Sequence, residues 1–426
     1  MTTEIKETDT LEELGNKVSS DISKEYTTVF GDRVTIASNS EMPCTTILQK
    51  TLTHATLIPM KVVPATVEDF KPINQMIEDA LDVDENENGV GLTLLPIDAV
   101  KDNSFLALVV EDTLEGYLVG FHKLTDLSMC GQAGIDHILH ILIDELSVLI
   151  SFQNHGYILK SWNSEQFYSD VANQMFRFVC LPQSPTKVQK CEDTQISVME
   201  KCFASHLLYT LIGAYPIING KRYDPNESAT LTDEETECIE LISEDQVITQ
   251  NVMVKEQWDL LPLQLRKAII QSLQDCIIGF ENWRLLLSNL LSETQECISC
   301  KRKTFHGVSN CLFCGHSLDV SQLSVKLQVN DTSNKTSFAL IFRRGTVIYG
   351  CTLSPKLPAT PFMQLMYNPS KNQLYLKNIS GVSWKVSIAS KTGIVKNKTA
   401  IPISSNITIQ IKNLKSLILK CEGVVE

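Results

Sequence analysis

The segment CISCKRKTFHGVSNCLFCGH, Cys297–His316, contains the most specific pattern of the chain. It has two Cys-x-x-Cys pairs with ten residues between them, formed by Cys297, Cys300, Cys311 and Cys314. Each pair has the spacing of a tight turn that directs two thiolates at one ion, and four thiolates satisfy tetrahedral zinc. Gly315 permits a turn in which backbone amides face the sulfur atoms. We therefore predict a structural zinc ribbon over residues 296–319.

Four sulfur ligands leave no coordination position for water, which disfavours a catalytic zinc. Two alternatives stay open: a disulfide pair or reactive dithiol, and replacement of one cysteine by His306 or His316. The other nine of the 13 cysteines are scattered singly. This distribution fits a reducing cytoplasm better than a disulfide framework.

The chain around this segment is long and acidic. Its 426 residues exceed what one hydrophobic core usually organises, so two or three domains are expected. The net charge of −13 disfavours nucleic acid as the principal partner. The polar, acidic amino terminus carries no readable secretory signal. The most apolar stretch, 137–152, is interrupted by Asp144 and Glu145 and is too short to span a membrane, so it predicts a buried helix.

Before the cysteines, the pattern indicates a mobile lead-in at 1–25, an α+β unit at 26–119 and a mostly helical domain at 120–295. In the α+β unit we predict strands at 33–38, 45–51, 56–63, 105–111 and 116–124, a helix at Val67–Leu81 and an acidic loop at 82–89. In the helical domain we predict helices within 133–154, 195–214 and 260–292, extended pieces at 156–160 and 175–181, and a surface loop at 219–254.

After the cysteines, residues 320–426 alternate apolar and polar positions in short segments. The predicted strands are 324–329, 337–342, 373–378, 384–389, 407–411 and 416–420. Several short strands at such spacing indicate a β-sandwich.

This order of elements resembles the two-lobed protein kinase architecture, and several motifs resemble one bacterial family, the helix-hairpin-helix type kinases. Leu95-Pro96-Ile97-Asp98 is similar to the family's "WPLD" segment, and Gly116-Tyr117-Leu118-Val119 to its "GYLM" strand. Further matches, in the family's order, are LIGAYPI at 211–217, LPLQLRKAI at 261–269 and Glu281-Asn282-Trp283. The resemblance covers most of residues 26–426.

The resemblance implies a nucleotide site with ATP and magnesium as cofactors. Lys61, in the apolar segment IPMKVV, matches the kinase lysine that contacts the α- and β-phosphates. Glu78 or Glu68, on the following helix, is a candidate for the glutamate that pairs with that lysine. A charged strand end and a solvent-facing helix are the alternative for these residues. The family also implies partners, namely a von Willebrand A protein or a metal-dependent phosphatase of type 2C.

The catalytic positions depart from the family pattern. Where the family has "HxxGIVVGDxNxxNVL", this chain has HGYILKSWNSEQF at 155–167, so Ser161 stands at the catalytic base and Gln166 at the metal-binding asparagine. The following stretch, QMFRFVCLPQ, contains no DFG-like triplet and adds Arg177. Residues 34–50 contain no glycine, although a kinase needs several to bring backbone amides close to the phosphates. These departures predict a pseudokinase and make ATP and magnesium doubtful as cofactors.

The carboxy-terminal sandwich resembles the forkhead-associated-like domain of the same family. The matching segments are FRRGTVIYG at 342–350 and LKNISGVSW at 376–384. A phosphothreonine site needs arginine and hydrogen-bonding side chains, and the candidates are Arg343, Arg344, Asn378 and Ser380. The Gly-Arg pair and the serine that such domains use are not readable after Gly350. A structural or protein-binding sandwich is therefore the favoured alternative.

The leading hypothesis is a cytoplasmic, non-catalytic regulatory or adaptor protein with an α+β, kinase-like fold, a zinc ribbon and a forkhead-associated-like sandwich. It would act in phosphorylation-linked signalling by binding proteins, without a membrane or nucleic-acid partner. One alternative is an ATP-dependent serine/threonine kinase in which Asp144, Asp170 or Glu165 substitutes for the lost groups. A second alternative is a zinc-ribbon transcription-associated factor, which fits the ribbon but not the acidic charge.

Overall fold

A computed structural model describes residues 23–29, 31–37, 44–50, 52–59, 92–94, 96–102, 105–110, 114, 117–119, 133–159, 162, 166–171, 173–181, 185–189, 191–225, 237–244, 246–318, 324–331, 336–343, 346–354, 357, 360–371, 373–388, 391–403, 407–411 and 414–425. The chain forms two compact units. The first comprises Met1–Pro72 and Leu95–Glu115, and the second comprises Ile73–Leu94 and Gly116–Glu426.

The amino-terminal strands are β1 Ser23–Thr27, β2 Arg33–Ala37, β3 Cys44–Leu48, β4 Thr53–Pro59, β5 Thr93–Leu94, β6 Pro96–Asp102, β7 Phe105–Val110 and β8 Leu118–Val119. Of these, β5 and β8 belong to the second unit. In the first unit β1 and β2 form a hairpin, and an antiparallel sheet has the order β3-β4-β7-β6. Alternate residues of β2, Val34 and Ile36, are buried in a core with Leu57, Val100 and Val109. This alternation is the reason that the chain forms strands here.

Four strand predictions in this unit are confirmed, at β2, β3, β4 and β7. Strand β6 was not predicted, because Asp98, Lys101 and Asp102 interrupt its apolar pattern. Asp98 is nevertheless buried, and its Oδ1 accepts a hydrogen bond from the backbone N–H of Ala99 at 2.8 Å. The predicted helix at Val67–Leu81 and the predicted acidic loop at 82–89 lie outside the described residues.

The second unit begins with two long helices that enclose short strands: α1 Ile135–Asn154, β9 Tyr157–Ile158, β10 Phe167–Asp170, β11 Met175–Val179, β12 Thr186–Lys187 and α2 Asp193–Ile212. Helix α1 buries a continuous apolar face and ends before Gly156, whose φ of +74° favours glycine. Strands β10 and β11 form a hairpin within the sheet β5-β11-β10-β8, and β12 pairs with β9. No helix in the described ranges has both the length and the apolar character needed to cross a bilayer.

The next elements are β13 Tyr215–Ile218, β14 Lys221–Arg222, β15 Cys238–Ser243, β16 Gln246–Ile248, α3 Val252–Asp259, α4 Leu263–Leu273 and α5 Phe280–Ser292. The predicted surface loop at 219–254 is therefore wrong for its described part. That part contains β14, β15 and β16, three strands of a sheet ordered β14-β13-β15-β16, and the start of α3. The many polar residues conceal the strand signal, but Ile239 in β15 is fully buried. The Asn251 side chain starts α3 by accepting from the backbone N–H of Met253 at 2.9 Å.

After α5 the regular elements of the described residues are nearly all β-strands. The elements are β17 Thr294–Glu296, β18 Lys303–Phe305, β19 Ser324–Asp331, β20 Thr336–Arg343, β21 Val347–Tyr349, the short helix α6 Gly350–Leu353, β22 Pro361–Asn368, a 3-10 turn at Pro369–Lys371, β23 Gln373–Asn378, β24 Trp384–Ile388, β25 Lys391–Val395, β26 Ala400–Pro402, β27 Ile407–Ile411 and β28 Leu414–Val425. From β19 onward they form two sheets, ordered β20-β19-β28-β27-β24-β25 and β21-β22-β23-β26.

One apolar core lies between these two sheets. Trp384 and Ile409 reach it from the six-stranded sheet, and Phe362 and Leu376 from the four-stranded sheet. The Phe362 and Trp384 rings stack with centroids 5.8 Å apart. Six predicted strands of the sandwich are confirmed, at β19, β20, β23, β24, β27 and β28, whereas β21, β22, β25 and β26 were not predicted. The forkhead-associated type of sandwich stays a prediction.

Candidate functional site

The four predicted zinc ligands converge. Their sulfur atoms all lie within 4.8 Å of one another. The Sγ atoms of Cys297 and Cys314 are 3.7 Å apart, as are those of Cys300 and Cys311. A tetrahedron with metal–sulfur bonds of about 2.3 Å places its sulfurs roughly 3.8 Å apart. This cluster can therefore hold a metal ion; neither His306 nor His316 belongs to it.

The two Cys-x-x-Cys turns have the same backbone geometry. In the first, the N–H of Lys301 donates to the carbonyl oxygen of Cys297 at 2.9 Å. In the second, the N–H of Gly315 donates to the carbonyl oxygen of Cys311, also at 2.9 Å. Lys301 and Gly315 both have left-handed φ values, +64° and +68°. The sequence indicates this conformation only at Gly315, because Lys301 adopts it without being a glycine.

Backbone N–H groups also surround the sulfur atoms. The N–H groups of Cys300 and Ser299 donate to the Cys297 sulfur and lower the pKa of its thiol to about 7. Burial raises the pKa of the Cys311 thiol to about 12, although the N–H groups of Phe313 and Cys314 donate to it. A bound cation would favour the thiolate at both positions. The donors are those that a metal–thiolate turn requires.

The cysteine cluster is attached to the start of α1. Lys303 of β18 pairs with Asp136, with 3.5 Å between Nζ and Oδ2. Burial opposes ionisation of the Asp136 carboxyl, but a hydrogen bond from His137 and the charge of Lys303 outweigh it, and the pKa of Asp136 is lowered. A Cβ atom on Gly134 would lie only 2.6 Å from the backbone nitrogen of Lys303. The backbone of β18 thus approaches α1 as closely as a glycine permits.

The sandwich is attached to the same helical region. His140 of α1 packs its buried ring against Tyr349, with 4.6 Å between the centroids in an edge-to-face arrangement. Burial lowers the pKa of His140 to about 4, so its ring is neutral at physiological pH. Ser292 at the end of α5 and Thr352 of α6 share a hydrogen bond of 2.8 Å between their hydroxyl groups. Within the second unit, helices, cysteine cluster and sandwich therefore form continuous contacts.

Several predicted residues of the nucleotide site lie outside the described residues: Lys61, Glu68, Glu78, Ser161 and Glu165. Of the passage around Ser161, the structure describes residues 155–159, 162 and 166–171. Gln166, which the resemblance matches to the metal-binding asparagine, is fully buried, and its Nε2 donates to the carbonyl oxygen of Val179 at 3.1 Å. Trp162 is 2% exposed and stacks on Phe167 with centroids 5.3 Å apart. Packing and a bond to the backbone thus engage these two side chains.

The residue after the β10–β11 hairpin, Cys180, is also packed in the interior. Cys180 directly follows β11, in the stretch whose sequence contains no DFG-like triplet. It is fully buried, its backbone N–H donates to the carbonyl oxygen of Leu94 at 2.9 Å, and burial raises the pKa of its thiol.

Two of the acids that could substitute for the lost groups in an active kinase, Asp170 and Asp144, lie among the described residues. Asp170 belongs to the hairpin turn, where its carboxylate accepts from the backbone N–H and Nδ2 of Asn173 at 3.0 and 2.6 Å. Asp144 is half-buried on α1, and burial raises the pKa of its carboxyl to about 7, opposed by the charges of Arg284 and Arg177.

A third acid was not singled out from the sequence: Glu145 is buried on α1 and lies 3.1 Å from Nδ1 of His206 on α2. Its partner is 61 residues away, so no local spacing reveals the pair.

The described phosphothreonine candidates form internal hydrogen bonds. Asn378 is buried, and its Nδ2 donates to the carbonyl oxygens of Val382 at 2.7 Å and Val395 at 3.2 Å. The Oγ of Ser380 donates to Oδ1 of Asn378 at 2.8 Å and accepts from Nε1 of Trp384 at 3.1 Å. Both side chains stabilise the turn between β23 and β24. Arg344 and the side chain of Arg343 lie outside the described set.

No family model and no curated protein matches the chain. Among solved structures, a Toxoplasma gondii specific rhoptry antigen kinase domain is similar with a TM-score of 0.32 and 10% identity, covering 65% of this chain and 89% of that chain. A rhoptry kinase from Toxoplasma gondii has a TM-score of 0.32 and 11% identity, with coverages of 61% and 81%. The Rad53 kinase domain with SCD2 has a TM-score of 0.28 and 10% identity, with coverages of 59% and 87%. These neighbours are protein kinase domains, but such low scores do not define a shared fold.

Proposed function

We propose that this chain is a non-catalytic, kinase-like adaptor that acts by binding other proteins. The order of α1, β9, the β10–β11 hairpin, β12 and α2 supports this proposal, because it follows the passage in which a kinase carries its catalytic base and metal ligands. The main observation in support of lost catalysis is that the side chain of Gln166 is fully buried and its Nε2 donates to the backbone carbonyl oxygen of Val179.

Phosphoryl transfer depends on positioning and on metal ions that neutralise developing charge. Magnesium prefers carboxylate oxygens, whereas Gln166 offers a neutral amide and Cys180 a buried thiol. Ser161 has a hydroxyl that cannot accept a proton as a carboxylate does. With base and both metal ligands replaced, the site neither binds magnesium-ATP nor transfers phosphate.

In this proposal the ion held by the four cysteines is zinc, and its role is structural. All four ligands are sulfur, which suits zinc and leaves no position for a reacting water. The metal would hold β17 and β18 against α1 at the joint between Lys303 and Asp136. The adaptor's partners, by the family resemblance, are a von Willebrand A protein or a type 2C phosphatase.

One observation favours the second candidate function, an active serine/threonine kinase. Asp144 has a pKa near 7 because it is buried, and perturbed carboxyl groups often occur at catalytic sites. However, Asp144 lies within α1 rather than in the passage between β9 and β10, and the charges of Arg284 and Arg177 act to lower its pKa. Burial of the carboxyl explains the raised pKa without a catalytic role.

The test is thermal unfolding of the full chain with and without ATP and magnesium. Wild type, Lys61→Ala and the matched control Lys50→Ala are compared; Lys50 is an exposed lysine in the turn after β3. We expect no magnesium-dependent rise in melting temperature for any of the three. A rise that is lost in Lys61→Ala but retained in Lys50→Ala would contradict the proposal.

A further inference from the structure

The charges of this chain are segregated along the sequence. Residues 321–426 contain 14 Lys and Arg against three Asp and Glu, whereas residues 1–320 contain 23 against 47. The sandwich is therefore strongly basic, with a net charge of +11, and the remainder is strongly acidic, with a net charge of −24. The whole-chain value of −13 conceals this division.

The described lysines of the sandwich are uncompensated. Lys371, Lys385, Lys396 and Lys398 are exposed. None of the described ion pairs involves them, whereas lysines outside the sandwich pair with carboxylates, as Lys201 does with Asp275. The only acidic residues within 321–426 are Asp331, Glu422 and Glu426. Mutual repulsion of so many like charges destabilises a compact domain unless an anion relieves it.

Two of these lysines stand on a rigid turn. Lys396 and Lys398 lie between β25 and β26, and the N–H of Lys398 donates to the carbonyl oxygen of Asn378 at 2.8 Å. In return, the N–H of Asn378 donates to the carbonyl oxygen of Thr399 at 2.8 Å. The Oδ1 of Asn397 accepts from the N–H of Gly381 at 3.3 Å. The turn is thus bound to the neighbouring β23–β24 turn, so the backbone positions that carry its two lysines are fixed.

The outer face of the six-stranded sheet continues this basic surface. Lys385 on β24 is exposed, and its register partners are Ile394 on β25 and Gln410 on β27. Thr392 is exposed and Thr408 is partly exposed, so hydroxyl and amide groups accompany the lysine. The backbone register places Lys420 beside Thr408. Such side chains donate hydrogen bonds to phosphate oxygens.

We propose that this basic sandwich, residues 321–426, binds the phosphate backbone of nucleic acid without sequence selectivity. Lysines that contact phosphates release condensed counterions, which drives such binding. The domain has 12 lysines and two arginines, and lysine acts as a point charge, whereas bidentate reading of bases usually requires arginine. Charges act over about 8 Å at physiological ionic strength, so the local surface rather than the net charge of the chain decides binding.

A membrane surface is the less favoured polyanion. Interfacial membrane binding combines basic residues with inserted tryptophan, phenylalanine or leucine side chains. Among the described residues of the sandwich, the exposed large apolar side chains are Met366 and Ile394 alone. The surface instead combines lysine with threonine and glutamine, as phosphate-contacting surfaces do.

The test is fluorescence anisotropy of a labelled DNA duplex of about 20 base pairs with the full chain at salt concentrations from about 50 to about 200 mM. The triple variant Lys385→Gln, Lys396→Gln, Lys398→Gln is compared with wild type. The matched control is Lys221→Gln, Lys255→Gln, Lys267→Gln, which removes the same charge from exposed positions in the acidic part.

We expect wild-type affinity to fall steeply with salt. The sandwich variant should reduce the slope of log K against log salt by about 3, one for each lysine. It should also bind the duplex about tenfold or more weakly at the lowest salt concentration. The control variant should change affinity by less than about twofold, and both variants should melt at the wild-type temperature because all six lysines are exposed.

Three results would overturn this proposal. The first is the absence of duplex binding at about 50 mM salt. The second is an equal loss of binding in both triple variants. The third is binding to phosphatidylserine vesicles or polyglutamate that excess duplex does not displace, which would assign the surface to another polyanion.

Discussion

The cysteine cluster and the passage at 155–181 flank the same helix, α1, yet they differ in what their side chains do. In the cluster, four sulfur atoms converge within 4.8 Å and receive backbone N–H groups. In the passage, Gln166 bonds to a strand carbonyl, Trp162 stacks on Phe167, and Cys180 is buried. The difference is that the cluster brings its sulfur atoms and their N–H donors together as a metal site requires, whereas the described side chains of the passage are engaged in packing and in bonds to the backbone.

The largest effect is expected from Cys297→Ser. Metal binding to sites of this type supplies about 10 kcal/mol or more, and a small four-cysteine unit cannot bury a core without its ion. We expect the variant to lose stoichiometric zinc, as measured by elemental analysis. We also expect residues 296–319 to lose their resistance to protease, because the ribbon no longer folds.

Cys276→Ser is the matched control, because Cys276 is an exposed thiol outside the cluster. It should retain zinc and protease resistance. Wild-type protein without zinc, or a Cys297→Ser variant that keeps one zinc ion per chain, would remove the distinction between the two regions.

The second effect concerns the passage. Trp162 is 2% exposed and stacks on Phe167, so Trp162→Ala should cost about 3–5 kcal/mol of unfolding free energy. Trp162→Phe keeps a ring, and because the indole N–H has no hydrogen-bond partner among the described residues, it should cost only about 1 kcal/mol. Chemical denaturation gives both values. If Trp162→Ala were neutral, the passage would be an open loop rather than a packed one.

The third effect concerns the joint between α1 and β18. In Gly134→Ala the new Cβ would lie 2.6 Å from the backbone nitrogen of Lys303, which must move. We expect a loss of about 3 kcal/mol, measured by denaturation. Gly393→Ala is the control, because a Cβ there has nothing within 4 Å, and it should be almost neutral. Equal effects at the two glycines would contradict a close joint.

The smallest effect is a pH dependence at His140. Burial lowers the pKa of this ring from 6.5 to about 4, so the unfolded chain binds the proton more readily than the folded chain. Its contribution to stability is fully present above about pH 6.5 and is lost as the pH falls towards 4. Between pH 7 and pH 5, wild type should therefore lose about 2 kcal/mol more than His140→Leu, as measured by urea denaturation. Parallel pH profiles would refute the burial of a neutral ring against Tyr349.

The sequence was most informative where local spacing specifies geometry. The Cys-x-x-Cys pairs predict their convergence, because two residues between ligands define a turn. Strands of alternating pattern, such as β2 and β23, were likewise predictable. Strand β15 was not, since its polar residues conceal a single buried position at Ile239.

The remainder depends on contacts between distant residues. The pair of Glu145 and His206 and the approach of Gly134 to Lys303 both arise from packing of separate elements, which no single segment encodes. The roles of Asn378 and Ser380 also follow from packing: their side chain types suit a phosphate, but the observed bonds stabilise a turn. The sequence shows which groups are available, and tertiary structure decides which of them are engaged.

The most direct measurement is phosphate transfer from ATP labelled on the γ-phosphate, with magnesium or manganese, by full-length wild type, Lys61→Ala and Lys50→Ala. Incorporation into the chain itself and into a general acceptor protein is counted. We predict that wild type incorporates no more phosphate than Lys61→Ala. Metal-dependent incorporation that persists in Lys50→Ala and is lost in Lys61→Ala would show an active kinase and contradict a non-catalytic role.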